Sequence, residues 1–299
     1  EISECLVGSE MCIRDRFISV GENVLNILLN TVFIYGLNLG VAGAAIASCI
    51  SFGIGGIAMF LLMLSKTKLR PERRDMRLDR EILSETFTIG LPALGTTFVS
   101  CFGYIAFARM VSGMGTTIFA AHSIAITAEQ IVYIPGYGLR VATSTLVGNA
   151  LGEKDIRKLK ATERVSILIT LLIMVVNGIG LYLFAYPFMR LFTNSVNAAR
   201  IGSEMLRLVS FSEPFFGLMI VLEGISYGMG RTKHVFACEA VSMWGIRIFG
   251  TFLCVNVFGL GLKAVWLCMI ADNICKAILL YIFRPKHVEE NADDRGELR

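Results

Sequence analysis

Charged residues are scarce in this sequence. Asp, Glu, Lys and Arg make up 17% of its 299 residues, whereas a soluble protein carries about a quarter. Hydrophobic residues make up 55%, and they are concentrated in several separate long runs. Because a helix needs about 20 apolar residues to cross a bilayer, these runs predict an all-α membrane protein that crosses the membrane several times.

The residue patterns of metal sites and membrane-embedded catalytic sites are also missing. The three histidines, at positions 122, 234 and 287, form no His-x-x-x-His set. The eight cysteines include no Cys-x-x-Cys pair and mostly lie in apolar runs, as small buried residues do. We therefore expect no metal, no cofactor and no enzyme activity. The net charge of +4 does not indicate nucleic-acid binding, because the basic residues lie in short loops where membrane topology explains them.

The first 16 residues do not fit the rest of the chain. They carry scattered charges and lack the basic, apolar and small-residue regions of a signal peptide. They resemble the translated adapter sequence that precedes some incomplete reading frames, so we leave residues 1–16 out of the predicted fold. A genuine cytoplasmic loop is the alternative.

From residue 17 onward, the apolar runs predict eight transmembrane helices. The predicted bounds are 18–35, 41–64, 82–111, 117–150, 165–191, 204–228, 235–258 and 262–283. The sequence between the fourth and fifth helices, 152–164, is predicted to be a basic amphipathic connector, and 192–203 a polar loop.

One long polar linker, residues 65–81, divides these helices into two and six. It carries seven basic residues, which places it in the cytoplasm by the positive-inside rule. Alternating the remaining helices places both chain ends and the other basic loops in the cytoplasm as well. The charged tail, residues 285–299, is then a cytoplasmic extension.

Six motifs occur in an order and spacing that resemble the multidrug and toxic compound extrusion (MATE) transporters over residues 17–283. They are NILLNTVFIYGLNLGVAGAAIAS; IGLPA at 89–93; GTTIFAAHSIA with IPGYGLRVATSTLVGNALGEKD; YGMGRTKH; WGIRI at 244–248; and GLGLKAVWLCMIADNICKA. The resemblance implies a twelve-helix transporter built from two six-helix lobes. Residues 17–64 would be the last two helices of the first lobe and 82–284 the second lobe, so we expect the chain to be incomplete at its N-terminus.

The resemblance also implies a function. It implies an antiporter in the cell membrane that exports small organic cations or drugs in exchange for H⁺ or Na⁺. It would work as a monomer among membrane lipids, without nucleic acid. Two alternatives are a lipid-linked oligosaccharide flippase of the same superfamily, which would line its cavity with more Arg and Lys, and an inactive fragment.

The sequence does not decide between H⁺ and Na⁺ as the coupling ion, because it departs from the family's pattern. The sodium-coupled branch commonly has an acid within the first helix of the second lobe, and residues 89–111 contain none. Ser226, Tyr227 and Gly228 also stand where Leu-Arg-Gly is frequent.

The fourth predicted helix carries the leading candidates for ion or substrate binding, Glu129 and Gln130. They lie roughly 18 Å from the outer end of that helix at 1.5 Å per residue. A charge at this depth costs at least ~2.5 kcal/mol on insertion scales, so such residues often have a function. A carboxyl here is able to hold a proton or to meet a cationic substrate. The alternative is a neutral, hydrogen-bonded packing residue.

Two further acids in the sixth predicted helix are candidates for the same role. Glu223 lies at the depth of Arg140 in the fourth helix, so we predict that the two pair. Glu213, followed by Pro214, lies in the outer half of the sixth helix and is a possible pore-facing residue.

The last two helices carry three charged residues near mid-depth, Arg247, Asp272 and Lys276. Lys276 follows Asp272 by one helical turn on the same face. They match positions that the resemblance indicates are usually charged. We interpret all three as members of structural ion pairs rather than as transport residues.

A hinge is predicted in the fourth helix. Pro135 cannot donate a backbone hydrogen bond, and Gly136 and Gly138 follow it, so this segment is predicted to bend during alternating access. His122, near the outer end of the same helix, is predicted to pack rather than to bind a ligand.

Overall fold

A computed structural model describes residues 17–66 and 79–283. The predicted adapter-like segment 1–16, most of the linker 65–81 and the tail 285–299 lie outside these residues. The chain divides into two compact units, Glu1–Arg80 and Glu81–Arg299. Within the described residues all regular structure is helical.

The first unit contains two helices, α1 (Phe17–Gly36) and α2 (Gly40–Lys66). The last turns of α1, Thr31–Gly36, are π-helical. A Cβ added at Gly43 of α2 would lie 3.0 Å from the backbone carbonyl of Phe33 in α1. The small residues at the start of α2 therefore let the two backbones approach closely, as small residues do between helices in lipid.

The second unit contains seven described helices. They are α3 (Arg80–Ser112), α4 (Thr116–Gly152), α5 (Ile156–Phe192), α6 (Val196–Ser210), α7 (Glu213–Gly228), α8 (Thr232–Val257) and α9 (Leu262–Ile282).

The predicted eight crossings are confirmed. Among the described residues, seven helices are long and apolar enough to cross a membrane, and α6 with α7 makes an eighth when the bent pair is counted as one broken span. The predicted bounds of the sixth crossing, 204–228, were wrong in one respect, because α6 and α7 meet at a 60° bend. Pro214 has no backbone N–H to continue the hydrogen bonds of α6, and it fits the first turn of a new helix, where that donor has no partner in any case. The amide and hydroxyl of Ser212 both donate to the Val209 carbonyl, at 2.7 and 2.8 Å, which closes the end of α6.

The predicted start of the fifth crossing was also wrong. Residues 152–164 were predicted to be a connector, but α5 begins at Ile156. The Asp155 side chain accepts a hydrogen bond from the Lys158 amide at 2.9 Å and so caps the helix. At 1.5 Å per residue, the 37 residues of α5 span about 55 Å, more than the ~30 Å of bilayer hydrocarbon. The charged first turns of α5 therefore project beyond the bilayer core.

Helices α4 and α7 pack closely because α7 presents two glycines to the α4 backbone. A Cβ at Gly224 would lie 2.7 Å from the Arg140 carbonyl oxygen, and one at Gly228 would lie 2.5 Å from the Ser144 carbonyl oxygen. Spacing of four residues between small side chains is typical of tightly packed membrane helices. This contact fixes the relative depth of the polar residues on the two helices.

Helix α8 is not a regular α-helix throughout. Two of its segments, Met243–Ile248 and Leu253–Val257, are π-helical. Segments of this kind are rare and are often found at functional sites. The first of them contains Arg247, which lines the cavity described below.

Candidate functional site

The second unit contains a cavity of about 630 Å³, lined by residues of α3, α4, α7, α8 and α9. This volume is in the range of small-molecule sites, about 300–1,000 Å³. Acidic, basic and aromatic side chains share its wall: Glu129, Glu223, Glu239, Arg140, Arg247, Lys276, Tyr104, Tyr133, Tyr137, Tyr227 and Phe216.

Helix α4 contributes one continuous polar face to this cavity. Glu129, Tyr133, Tyr137 and Arg140 follow one another at helical spacing and all line the wall. Glu129 is 2% exposed, and its carboxylate accepts a hydrogen bond from the Tyr133 hydroxyl. The Tyr133 ring stacks on Phe216 of α7, with centroids 3.7 Å apart. These contacts hold the Glu129 carboxyl beside the aromatic part of the wall.

Arg140 and Glu223 form an ion pair across α4 and α7. The Arg140 Nη1 atom lies 3.2 Å from the Glu223 Oε2 atom, and the guanidinium lies over the Tyr137 ring at 5.3 Å from its centroid. Since Gly224 packs against the Arg140 backbone, the close approach of the two helices also sets this pairing distance.

A second group of charges joins α8 to α9. Arg247 Nε lies 3.0 Å from Asp272 Oδ2, and Lys276 Nζ lies 3.6 Å from the same oxygen. Lys276 Nζ also lies 2.7 Å from Glu239 Oε2. Both basic groups therefore face acids, and the four side chains form one buried ionic network.

Sequence reasoning missed several members of this site. Glu239, which holds Lys276, was not singled out, although an acid in an apolar helix was a usable signal. The Ser100 hydroxyl of α3, which donates to Glu239 at 2.6 Å, carried no such signal. Tyr133 and Tyr137 were detectable, because they follow Glu129 at intervals of four residues on one face of α4.

Glu129 differs from the other two acids of the cavity wall in that it has no basic partner in the described part of the chain. Within the described residues, Glu223 and Glu239 each have a basic partner within 4 Å, whereas the hydrogen-bond partner of Glu129 is the uncharged Tyr133 hydroxyl. Three bases line the cavity, and each faces an acid. When all groups are ionised, the three bases are matched by three acids of the wall, Glu129, Glu223 and Glu239, and the buried Asp272 that pairs with Arg247 adds one further negative charge next to the wall.

The remaining candidate residues lie in different surroundings. Gln130 lines the cavity beside Glu129, but Glu213 does not; it is 0% exposed. Neither of its carboxyl oxygens has a hydrogen-bond partner among the described residues. His122 is buried between the rings of Phe107 and Trp266, at centroid distances of 5.6 and 5.8 Å, which is a packing environment.

The predicted hinge residues lie on α4, which is assigned as one helix through Pro135. Pro135 faces a groove of about 400 Å³ between α4 and α5. Asn177 of α5 donates to the Val132 carbonyl at 3.1 Å, within the turn that precedes the proline. A Cβ at Gly136 would lie 2.4 Å from Met174 Cε, whereas one at Gly138 would meet no atom within 4 Å. Bending of this segment stays a prediction.

The family model described as MatE matches residues 92–253, more than half of the chain. The chain belongs to the MatE family. Its matched segment runs from α3 to α8 and so contains most of the cavity wall. The family predicted from the sequence motifs is confirmed, and with it the assignment as a multi-pass membrane protein.

Two relatives of the MatE chain are described as probable multidrug resistance protein NorM. The one from Thermotoga maritima is 28% identical over 267 residues, which cover 87% of this chain and 57% of the relative. The one from Photorhabdus laumondii is 28% identical over 275 residues, which cover 89% and 61%. The chain thus spans about three fifths of the length of these relatives.

A solved structure shows the same fold. A transporter of the MOP superfamily from Pyrococcus furiosus superimposes with a TM-score of 0.81 at 23% identity. The match covers 89% of this chain and 60% of that protein. Together with the helical architecture, it agrees with a partial MATE-type fold.

Proposed function

We propose that the intact protein exports organic cations in exchange for a proton, and that Glu129 is the carboxyl that binds the two in turn. The observation that carries this proposal is the position of Glu129: a buried carboxyl on the wall of an aromatic cavity, with an uncharged partner. Such an exporter moves its substrate without converting it chemically.

The charge count supports a monovalent cation as substrate. With Glu129 ionised, the wall residues and the buried Asp272 that pairs with Arg247 together carry one excess negative charge; with Glu129 protonated, these charges balance. A bound organic cation and a bound proton are therefore alternatives at the same carboxyl. The stacked rings of Tyr133 and Phe216 add aromatic surface to the wall, and a ring face that a cation reaches attracts it by about 0.5–2 kcal/mol.

The other two cavity acids are less suited to this exchange. Glu223 is held by Arg140, and Glu239 by Lys276. Removing one partner of a buried ion pair costs about 3–5 kcal/mol, because the other charge is left uncompensated. A substrate that took either acid from its base would meet this cost, whereas Glu129 has no such pair to break.

We favour a proton over sodium as the coupling ion. The polar partner of the Glu129 carboxyl is a single hydroxyl. Within the described residues, no group of three or more His, Cys, Asp and Glu side chains is arranged to hold a metal ion. A proton can be held by one oxygen atom, whereas a hard metal cation is held by several oxygen ligands.

The proposed setting is the cytoplasmic membrane, with the basic first turns of α5 on the cytoplasmic side. This orientation follows from the positive-inside rule. An oligosaccharide flippase is less well supported, since each of the three bases on the wall faces an acid and is not free to meet a pyrophosphate.

The test uses the full-length transporter in cells that lack other drug exporters. Glu129→Gln should reduce efflux of a fluorescent monovalent cation, such as ethidium, to the level of cells without the transporter. The matched control is Glu204→Gln, because Glu204 is partly exposed and pairs with Lys263 at 3.0 Å, away from the cavity. Expression of both variants should be close to that of the parent protein.

Other outcomes have defined meanings. Normal efflux by Glu129→Gln with a defect in Glu223→Gln would move the exchange to α7. Normal efflux by both variants would exclude Glu129 and Glu223 as the coupling acid, and the proposal would be wrong.

A further inference from the structure

Two cysteine side chains meet between α8 and α9. The Sγ atoms of Cys254 and Cys268 lie 3.7 Å apart, and both side chains are partly exposed. Neither residue lines the cavity, and neither belongs to the buried ionic network that joins the same two helices. The transport function proposed above therefore gives this pair of thiols no role.

The backbone near the turn between α8 and α9 positions the two thiols. Cys254 lies in the π-helical segment Leu253–Val257, and its carbonyl accepts a hydrogen bond from the Leu260 amide at 2.7 Å. A Cβ added at Gly250, one turn earlier on α8, would lie 3.3 Å from Cys268 Sγ. The Cys268 thiol thus lies against α8 beside residues 250 and 254.

The separation of the two sulfurs suits the formation of a disulfide bond. In a disulfide the sulfurs are about 2.05 Å apart, and the Cβ atoms about 3.5–4.5 Å apart. Starting from 3.7 Å, the sulfurs reach bonding distance by a shift of less than about 2 Å, which rotation about the two Cα–Cβ bonds can supply. The bond can therefore form largely by side-chain rotation.

Thr251 adds a hydrogen-bond donor to this part of α8. Helical spacing places it on the same side of the helix as Cys254, three residues later. Thr251 is 0% exposed, and its hydroxyl has no hydrogen-bond partner among the described residues. Because the thiolate is the reactive form of cysteine, an available donor on this face favours reaction of the pair.

The surroundings of the pair indicate which class of oxidant reaches it. Both cysteines lie within membrane-crossing segments, Thr232–Val257 and Leu262–Ile282. The neighbouring side chains of Phe252 and Leu267 are apolar and about half exposed. An apolar, partly exposed surface on a membrane-spanning helix meets lipid rather than water, so an oxidant dissolved in the membrane fits this site.

We propose that Cys254 and Cys268 form an oxidation site, which organic hydroperoxides dissolved in the membrane convert to a disulfide. In the first step the hydroperoxide transfers one oxygen atom to one thiol, which becomes a sulfenic acid, and the hydroperoxide leaves as an alcohol. In the second step the other thiol attacks that sulfur, the S–S bond forms, the S–O bond breaks and water leaves. Two thiols are oxidised and one hydroperoxide is reduced. The disulfide then ties the end of α8, the helix that carries Arg247 of the cavity wall, to α9.

The test uses the purified full-length transporter in lipid vesicles, treated with cumene hydroperoxide. The remaining thiols are alkylated with N-ethylmaleimide, and the peptides are analysed by mass spectrometry. Cys254 and Cys268 should lose their alkylation together and appear in one disulfide-linked peptide. Dithiothreitol should restore the alkylation of both.

Single substitutions separate the two steps. In Cys254→Ala the sulfenic acid of Cys268 has no partner, so it should persist and react with dimedone, and no linked peptide should form. Cys268→Ala should give the corresponding adduct on Cys254. The matched control is Cys101→Ala, which removes an exposed cysteine of α3 and should behave like the parent protein. Thermal midpoints show that each variant is folded.

Three results would overturn the proposal. They are unchanged alkylation of Cys254 and Cys268 after the hydroperoxide, a disulfide from either residue to a third cysteine, and no dimedone adduct in either single variant. None of these measurements depends on transport, so the oxidation site and the proposed function are tested separately.

Discussion

The contact between α7 and α4 at Gly224 makes a quantitative prediction about the Arg140–Glu223 pair. A Cβ at position 224 would lie 2.7 Å from the Arg140 carbonyl oxygen, with two further Arg140 backbone atoms at 3.2 and 3.3 Å. Backbone atoms do not move aside as a flexible side chain does, so Gly224→Ala must push the helices apart. Overpacking costs about 1–3 kcal/mol, and a backbone obstacle favours the upper end.

The net loss of stability in Gly224→Ala is smaller than the overpacking cost alone. Alanine is better than glycine in a helix interior by about 0.5–1 kcal/mol, which offsets part of the cost. We expect a net loss of about 2 kcal/mol, which lowers the thermal midpoint by about 4–8 °C for a unit of this size. The Arg140–Glu223 distance, 3.2 Å here, should lengthen beyond ion-pair contact.

The matched control is Gly180→Ala on α5, where an added Cβ meets no atom within 4 Å. This variant should be as stable as the parent, or more stable by up to about 1 kcal/mol. Thermal unfolding of both variants in detergent, followed by tryptophan fluorescence, measures the difference. Equal midpoints for Gly224→Ala and Gly180→Ala would refute the close packing of α4 and α7.

Three further predictions follow from individual contacts. Tyr133→Phe removes the donor to ionised Glu129, so affinity for a monovalent organic cation should fall about tenfold, measured by equilibrium binding to the purified protein. Lys276→Met leaves the buried Glu239 without its base and should destabilise by about 3–5 kcal/mol, whereas the double variant with Glu239→Gln should recover part of the loss in thermal unfolding. Asp155→Ala removes the cap of α5 and should cost about 1 kcal/mol, measured in the same way, with no effect on cation binding.

The fold was largely predictable from the sequence because apolar runs determine membrane crossings directly. The two errors in helix bounds have local causes. The break before Glu213 lies inside an apolar run, so composition did not mark it. The charged start of α5 looked like a connector, although Asp155 at its head is a good cap.

The candidate site was less predictable because it depends on which helices are neighbours. An acid within an apolar helix identified Glu129 and Glu223 from the sequence alone. The partnership of Glu239 with Lys276 required the packing of α8 against α9, which no spacing within one helix encodes. The burial of Glu213 away from the cavity likewise depends on the bend between α6 and α7.

The central claim is that one carboxyl, Glu129, exchanges a proton for a cationic substrate. The most direct measurement is proton release when tetraphenylphosphonium is added to the purified full-length transporter in weak buffer containing a pH indicator. At a pH where Glu129 is protonated, the parent protein and Glu204→Gln should release about one proton per cation bound, and Glu129→Gln none. Equal proton release by Glu129→Gln, or cation binding by the parent protein without proton release, would contradict the account.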